Sequence, residues 1–157
     1  MDPLRTMFRH HAWATAMVID HCAGLPAERL QDTIPGTYGT IMATLKHVVG
    51  ADQRYLARMT GQQAEHPVRE DEELTLAALR TAHEESSRRW ETLVDRAPEL
   101  DVTLQPFRDI PETPHAEDLL FLQAIHHGND HRTHICSILG ALGLEVPEVD
   151  GWSYWYR

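Results

Sequence analysis

Apolar residues recur along this chain at intervals of three and four positions, which is the period of an α-helix that buries one face. Turn-forming residues divide the pattern into four long stretches. The first has Asp2 at the capping position and Pro3 at the first helical position, and it ends at Gly24. The second begins after Thr40 and ends at Gly61. Each stretch predicts an amphipathic helix.

Two further helices are predicted in the second half of the chain. The third covers residues 72–96, where apolar side chains alternate with many charges. The two prolines and weak alternation of residues 99–112 favour an ordered connection with one short extended piece. Thr113 as cap and Pro114 at the next position then predict the start of a fourth helix, which runs to Leu142 with Gly143 at its end.

Four helices without a set of strands predict an all-α fold. The arrangement is expected to be an antiparallel four-helix bundle, formed by a single domain over residues 1–157 with a long connection before the fourth helix. The last residues, LEVPEVDGWSYWYR, form a tail rich in aromatic side chains, including Trp152 and Trp155. Large aromatic rings favour burial, so this tail should dock on the bundle.

The charge balance narrows the classes of partner. Lys and Arg number 14 against 24 Asp and Glu, a net charge of −10 that would repel phosphate backbones, so no nucleic acid is expected as partner. No leader and no run of 18 uncharged apolar residues is present, which predicts no membrane anchor. The cysteines, Cys22 and Cys136, form no C-x-x-C motif, and this usage favours a cytoplasmic protein.

Histidine is the unusual component, at 11 of 157 residues. Four of these lie in IHHGNDHRTHI, residues 125–135. On a helix, His127, His131 and His134 share one face, while His126 points about a quarter turn away. His127 and His131, one turn apart, can both reach one metal ion. From this spacing alone, a solvated histidine patch is an equal alternative.

A third histidine strengthens the metal hypothesis. His47 lies beside the apolar stripe of the second helix, and small residues on its face, such as Ala43 and Gly50, would let a neighbouring helix or a ligand approach. Alone it would be a core histidine bonded to a carbonyl. With His127 and His131 on a facing helix it is predicted to be a third ligand. Three neutral imidazoles leave coordination positions open, which is typical of catalytic zinc, nickel, iron or manganese rather than of a closed structural site.

Other catalytic motifs are missing from the sequence. Di-iron bundles need Glu-x-x-His on two helices, and the one such spacing, Glu112 to His115, is interrupted by Pro114. The chain contains no H-E-x-x-H string, no G-x-S-x-G string and no phosphate-binding loop.

Three polar residues are candidates for catalytic roles beside the metal. Asp52, within the apolar stripe of the second helix, is expected to orient a ligand histidine, to pair with an arginine such as Arg132, or to reach water. Arg132 is itself a candidate. His134 is interpreted as a proton shuttle or a packed side chain in preference to a substitute ligand. His11, on the inner face of the first helix, is expected to be a hydrogen-bonded core residue.

These segments resemble the DinB-like family, which is related to the YfiT-like and mycothiol- or bacillithiol-dependent proteins. HHAWATAMVIDHCAGLPAERL is similar to its opening helix, GTIMATLKHVVGADQRYLARMTG to its second helix, and IHHGNDHRTHI to its H-x-x-x-H-R signature. Thr133 and His134 replace the usual Gly-Gln continuation. The resemblance implies an antiparallel four-helix bundle, often dimeric, with a divalent metal on three histidines that match His47, His127 and His131.

The resemblance also implies a reaction, since characterised members use the metal to activate a low-molecular-weight thiol. We therefore expect a metal-dependent thiol S-transferase, with zinc or nickel as cofactor and iron or manganese as alternatives, that acts on a small electrophile and forms a homodimer. The alternatives are a hydrolase that uses metal-bound water and a non-enzymatic metal-binding protein of a stress response. A third class, an interaction module with coincidental histidines, would bind no metal.

Overall fold

The computed structural model describes residues 2–105 and 111–157, most of them helical. Within these residues there is no strand beyond an isolated bridge between Leu104 and Thr113, so the all-α prediction is confirmed. None of the described helices combines the length and apolarity needed to cross a membrane. The helices are α1 (Pro3–Ala23), α2 (Ile41–Thr60), α3 (Leu76–Asp95), α4 (Glu117–Ala141) and α5 (Gly151–Trp155), with 3₁₀ turns at Ala27–Gln31 and Ala97–Glu99.

The ends of α1 and α2 follow the sequence signals. The Asp2 carboxylate accepts a hydrogen bond from the backbone N–H of Leu4 at 3.0 Å, and the Thr40 hydroxyl accepts one from Ala43 at 3.1 Å. These contacts satisfy N–H groups that have no partner within the helix. Gly61 ends α2 with φ of 72°, a conformation that glycine adopts without steric cost. The predicted boundaries of both helices are confirmed.

The third helix begins at Leu76, with Thr75 as its cap, rather than near residue 72, and the fourth helix also begins later than predicted. Thr113 is not its cap, because both backbone groups of Thr113 bond to Leu104 in the bridge, with N···O distances of 3.0 and 2.9 Å. His115 follows with φ of 50°, which interrupts any helix started at Pro114. The helix therefore starts at Glu117. The bridge is the short extended piece expected in residues 99–112, of which 106–110 lie outside the described residues.

The four long helices pack so that α1 and α2 each contact both α3 and α4. α1 runs antiparallel to α3, since Arg5 pairs with Asp95 near one end and Asp20 pairs with Arg80 near the other. α2 runs antiparallel to α4, since Gln123 bonds to Tyr55 and His131, further along α4, meets the earlier residue His47 of α2. The bundle prediction is confirmed, and α1 and α2 lie on opposite corners of it.

The core consists of two apolar clusters, one toward each end of the bundle. The C-terminal halves of α1 and α4 meet the N-terminal halves of α2 and α3 in the first cluster, which includes Val18, Ile19, Leu45, Val49, Leu79, Ile135, Ile138 and Leu139. The second cluster includes Phe8, Leu56, Trp90, Leu93, Leu120 and Phe121. Since α2 and α3 consequently run parallel, the chain between them must cross the length of the bundle.

This crossover, residues 61–75, is fixed along α2 by side chains of that helix. The Gln53 amide accepts a hydrogen bond from the N–H of Val68 at 2.8 Å and donates one to the carbonyl of His66 at 2.9 Å. The Lys46 ammonium donates to the carbonyl of Glu70. The crossover therefore brings its own side chains, including that of Glu70, beside the N-terminal half of α2.

A buried polar layer lies between the two apolar clusters. Each of the four long helices contributes to it, through His11, Thr15, Asp52, His83, Ser86 and Arg132, none more than 3% exposed. Buried polar groups are stable only when they are hydrogen-bonded, so the contacts within this layer constrain how the helices face one another.

His11 links the charged members of this layer. Arg132 Nη1 donates to His11 Nδ1 at 3.1 Å and to Thr15 Oγ1 at 2.9 Å. An arginine can only donate, so His11 carries its proton on Nε2, which donates to Asp52 Oδ2 at 2.8 Å. The expectation of a hydrogen-bonded core histidine at position 11 is confirmed. Asp52 and Arg132 are joined through this ring.

The C-terminal tail returns along α1. Val149 packs against the first apolar cluster, and the ring of Tyr154 lies 5.4 Å from that of Trp13, measured between centroids. The expectation that the tail docks is confirmed by these contacts. Trp152 and Trp155, in contrast, are 74% and 55% exposed, so their predicted docking role is wrong.

Candidate metal centre

Three histidines from two helices meet where α2 faces α4, beside the buried polar layer. One ring nitrogen from each of His47, His127 and His131 lies within 4.8 Å of the others. The Nε2 atoms of His47 and His127 are 2.9 Å apart. Antiparallel packing of α2 on α4 places His47 opposite the two histidines that are one turn apart. The three predicted ligands are thus brought together in a group that could hold a metal ion.

The ring nitrogens fit a cation. Nδ1 of His127 and Nδ1 of His131 are buried and have no hydrogen-bond partner among the described residues. Burial, followed by the neighbouring histidines, lowers the pKa of both rings to about 4. Both are therefore neutral near pH 7 and offer lone pairs. Nε2 of His127 faces Nε2 of His47 at 2.9 Å, so a divalent ion held there would take this nitrogen, and Nδ1 of His127 would carry the ring proton.

Glu70 fixes the orientation of His47. Its Oε1 lies 2.7 Å from His47 Nδ1, which donates the hydrogen bond. The proton is therefore on Nδ1, and the lone pair of Nε2 is directed toward His127. The hydrogen bond from His47 is the main cause that lowers the pKa of Glu70, so the carboxylate is charged. A carboxylate behind a ligand histidine is a common support of metal sites.

Tyr38 covers the outer face of His47. The two rings stack with centroids 4.0 Å apart, and the Tyr38 ring meets His131 edge-on at 5.0 Å. Its hydroxyl donates to Glu70 Oε2 at 2.8 Å. Its backbone N–H donates to Nδ1 of His134 at 3.3 Å. Residues before α2 are held against the histidines by these contacts.

His134 borders the three histidines without joining them. Its ring lies 5.2 Å from that of His131, and it is not among the residues whose nitrogens converge. Because its Nδ1 accepts from Tyr38, a neutral His134 carries its proton on Nε2 and has no lone pair left to accept another. In this arrangement His134 fixes the backbone at Tyr38. Its role as a proton shuttle stays a prediction.

Asp52 and Arg132 lie behind the histidines, in the polar layer. Asp52 orients His11 rather than a metal ligand. Gly128 lets His11 approach α4 at this level, since a Cβ on Gly128 would lie 2.3 Å from His11 Cε1 and 2.9 Å from Arg132 Nη1. These contacts set the position of α4 next to His127. Catalytic roles for Asp52 and Arg132 stay predictions.

Sequence reasoning missed Tyr38 and Glu70, because both lie in connections rather than on helices. Residues 70–73 are all acidic, so no pattern singles out Glu70 from its neighbours. The usable signal is indirect, since a chain that joins two parallel helices must run beside one of them. Tyr38 has even less signal, as its position depends on contacts with residues far along the chain.

Comparison with known protein families gives a match to the DinB family over residues 1–157. The match therefore includes both histidine-bearing helices and the connections that carry Tyr38 and Glu70. A search of curated proteins finds no match.

Proposed function

Because this chain belongs to the DinB family and brings three histidines together, we propose that it is a divalent-metal-dependent enzyme that activates a low-molecular-weight thiol for transfer to a small electrophile. The observation that carries the proposal is the ligand group itself. It contains three residues and no fourth one among the described residues. Three protein ligands are the pattern of catalytic sites, whereas closed structural sites have four.

The chemistry follows from the donor set. Imidazole nitrogens suit zinc and nickel, which we propose as the metals, and a divalent ion held there would lower the pKa of an entering thiol far below the reference of about 8.5. Glu70 keeps the His47 lone pair aimed at the centre, and Tyr38 limits approach from one side. The thiol proton leaves to solvent. The sulfur then forms a bond to the electrophilic carbon, and the leaving group departs with its bonding pair.

The first test uses protein made without chelator or added nickel. We expect about one equivalent of divalent metal, as metal analysis of a three-histidine site should give. His47→Ala, His127→Ala and His131→Ala should each lose it while circular dichroism still reports a helical protein. His126→Ala is the matched control, because His126 is exposed on the same helix. A full equivalent of metal in all three variants would contradict the ligand assignment.

The second test addresses the reaction. The cobalt-substituted protein should develop a sulfur-to-cobalt charge-transfer band when a small thiol is added, and the metal-loaded protein should accelerate attack of that thiol on an aryl halide. Metal-dependent ester or amide hydrolysis without thiol consumption, and without such a band, would reject thiol transfer in favour of the hydrolase. Bound metal with neither reaction would favour the non-enzymatic role.

A further inference from the structure

Arg54 lies on the same face of α2 as His47, two helical turns further along. Between them on that face is Gly50. The Arg54 guanidinium folds back over this glycine, since Nη1 lies 3.2 Å from the position that a Cβ on Gly50 would occupy. The cation is therefore directed along the helix toward the three histidines.

Arg54 has no partner that would use its hydrogen-bonding capacity. It is exposed, and within residues 2–105 and 111–157 it makes neither a hydrogen bond nor an ion pair. Its charge nevertheless reaches Glu70, whose pKa is lowered first by the hydrogen bonds from His47 and Tyr38 and further by Arg54. The guanidinium is exposed and folds back over Gly50 toward the histidine group, so it is available to a ligand.

The local charge differs from that of the whole protein. The chain carries a net charge of −10, which disfavours multiply charged anions such as phosphates. Of the carboxylates near the histidine group, Asp52 is already linked through His11 to Arg132. Arg54 and a divalent ion together would outweigh the other two, Glu70 and Asp130. That balance suits a ligand with one carboxylate, whose two oxygens match the planar donor fork of arginine.

We propose that Arg54 binds the carboxylate of the substrate thiol, so that the substrate class is a small thiol bearing a carboxylate. The proposal rests on the proposed function, because it assumes that the thiol reaches the three histidines. Arg54 is then a specificity-determining residue: it selects among thiols by their charge and orients the sulfur toward the centre. Gly50 makes this possible by leaving room for the guanidinium to fold back.

The test measures thiol binding rather than turnover. Mercaptoalkanoates of two to four carbons and their primary amides are titrated into cobalt-substituted protein, and the charge-transfer band gives each dissociation constant. The best carboxylate should bind about tenfold more tightly than its amide, as expected for one charge-assisted hydrogen-bonded pair. Arg54→Gln should remove this advantage and leave amide binding unchanged, while Arg54→Lys should keep part of it.

Arg58→Gln is the matched control, since it makes the same charge change one turn further from His47 and should retain the preference. A preference for carboxylates that survives in Arg54→Gln would overturn the proposal, because it would then come from chelation of the metal. Equal binding of acid and amide by the unaltered protein would also overturn it, and would leave the thiol function standing.

Absence of a band with every thiol would reject the thiol function instead. Calorimetric titration of the zinc-loaded protein with propionate and propionamide then decides the role of Arg54. Propionate binding that is lost in Arg54→Gln would support a carboxylate site at this residue, and propionate binding that is absent or unaffected by the substitution would overturn it.

Discussion

His47 shows at the scale of single residues how a neighbour determines what a side chain can do. Either ring nitrogen of an isolated imidazole can carry the proton. Here the charged Glu70 accepts a hydrogen bond from Nδ1–H of His47, and the stacked Tyr38 keeps both groups in place. The half-buried histidine is thereby preorganised as an Nε2 donor. Glu70, which is not one of the three candidate ligands, can therefore affect how tightly the three histidines would bind an ion.

Glu70→Gln tests that control. The amide can still accept from His47 but carries no charge, so the histidine becomes a weaker donor, and metal affinity should fall by about tenfold or more. Competition with a chromogenic chelator at pH 7 measures the change. Glu72→Gln, in the same crossover, removes an equivalent charge that pairs with Arg69 and should leave affinity unaltered. Equal affinities for both variants would show that Glu70 does not support His47.

The three histidines that come together could be predicted from the sequence, whereas the residues that support them could not. Helical periodicity alone places His127 and His131 on one face, and His47 stands out as a polar residue beside an apolar stripe. Nothing local distinguishes Glu70, because its role depends on the path of the crossover across the bundle. Short-range patterns carry information about helix faces, and long-range packing decides which loop residues meet them.

At the scale of helices, the close approach of α1 to α4 depends on a glycine, Gly128, which has no side chain. Gly128 faces His11 and Arg132, both almost fully buried and both held by hydrogen bonds. Neither neighbour can move aside without breaking the link to Asp52. The level at which the two helices touch is also the level of His127, one of the three candidate ligands, so packing and site geometry are coupled there.

Gly128→Ala should therefore destabilise the protein, although alanine is the better helix former. A Cβ would lie 2.3 Å from His11 Cε1, and relieving this overlap should cost about 1–3 kcal/mol of unfolding free energy and weaken metal binding. Urea denaturation provides the measurement. Gly140→Ala is the control on the same helix, because its Cβ would make an ordinary 3.6 Å contact with Val146. A Gly128→Ala protein as stable as that control would contradict the close approach.

His83 of α3 is hydrogen-bonded to the backbone of α1. Because its side chain is buried there, the stability of the fold depends on pH. Its Nε2 donates to the carbonyl of Ala12 at 2.8 Å, and burial lowers its pKa from 6.5 to about 4. Between these values the unfolded chain binds a proton that the folded chain does not. The stability that follows from keeping His83 neutral is therefore fully present above pH 6.5, and it is lost as the pH falls toward 4.

The predicted contribution of His83 is about 1.4 kcal/mol per pH unit within that window. Urea denaturation of the metal-free protein at several pH values measures the slope. In His83→Gln the unfolding free energy should change with pH less steeply than in the unaltered protein, by that amount. The other histidines contribute the same slope to both proteins. Parallel curves would show that His83 does not remain neutral in the folded state.

Helix boundaries were predictable where capping is local. Asp2 and Thr40 accept hydrogen bonds from residues two and three positions ahead, so their capping role can be predicted from the neighbouring residues in the sequence. Thr113 is also a residue type that favours helix caps, but its backbone groups are hydrogen-bonded to Leu104, nine positions before it. A non-local bridge competes for its backbone groups, and a local pattern cannot reveal such a competitor.

At the scale of the whole molecule, several large apolar side chains remain exposed, among them Trp152, Trp155 and Tyr156 near the C-terminus. Exposed aromatic surface of this kind favours association. We therefore propose a homodimer. Sedimentation at micromolar concentration should give a species of twice the 17.9 kDa chain mass, and a 17.9 kDa species alone would contradict the proposal.

The crossover has a consequence for how such proteins can diversify. Packing fixes the three histidines on helices, where most substitutions would disturb the core. Glu70 reaches them from a connection, where changes of sequence and length are better tolerated. Descendants of one ancestral bundle could therefore acquire different reactivities by altering residues 61–75 while inheriting the same helices and the same ligands.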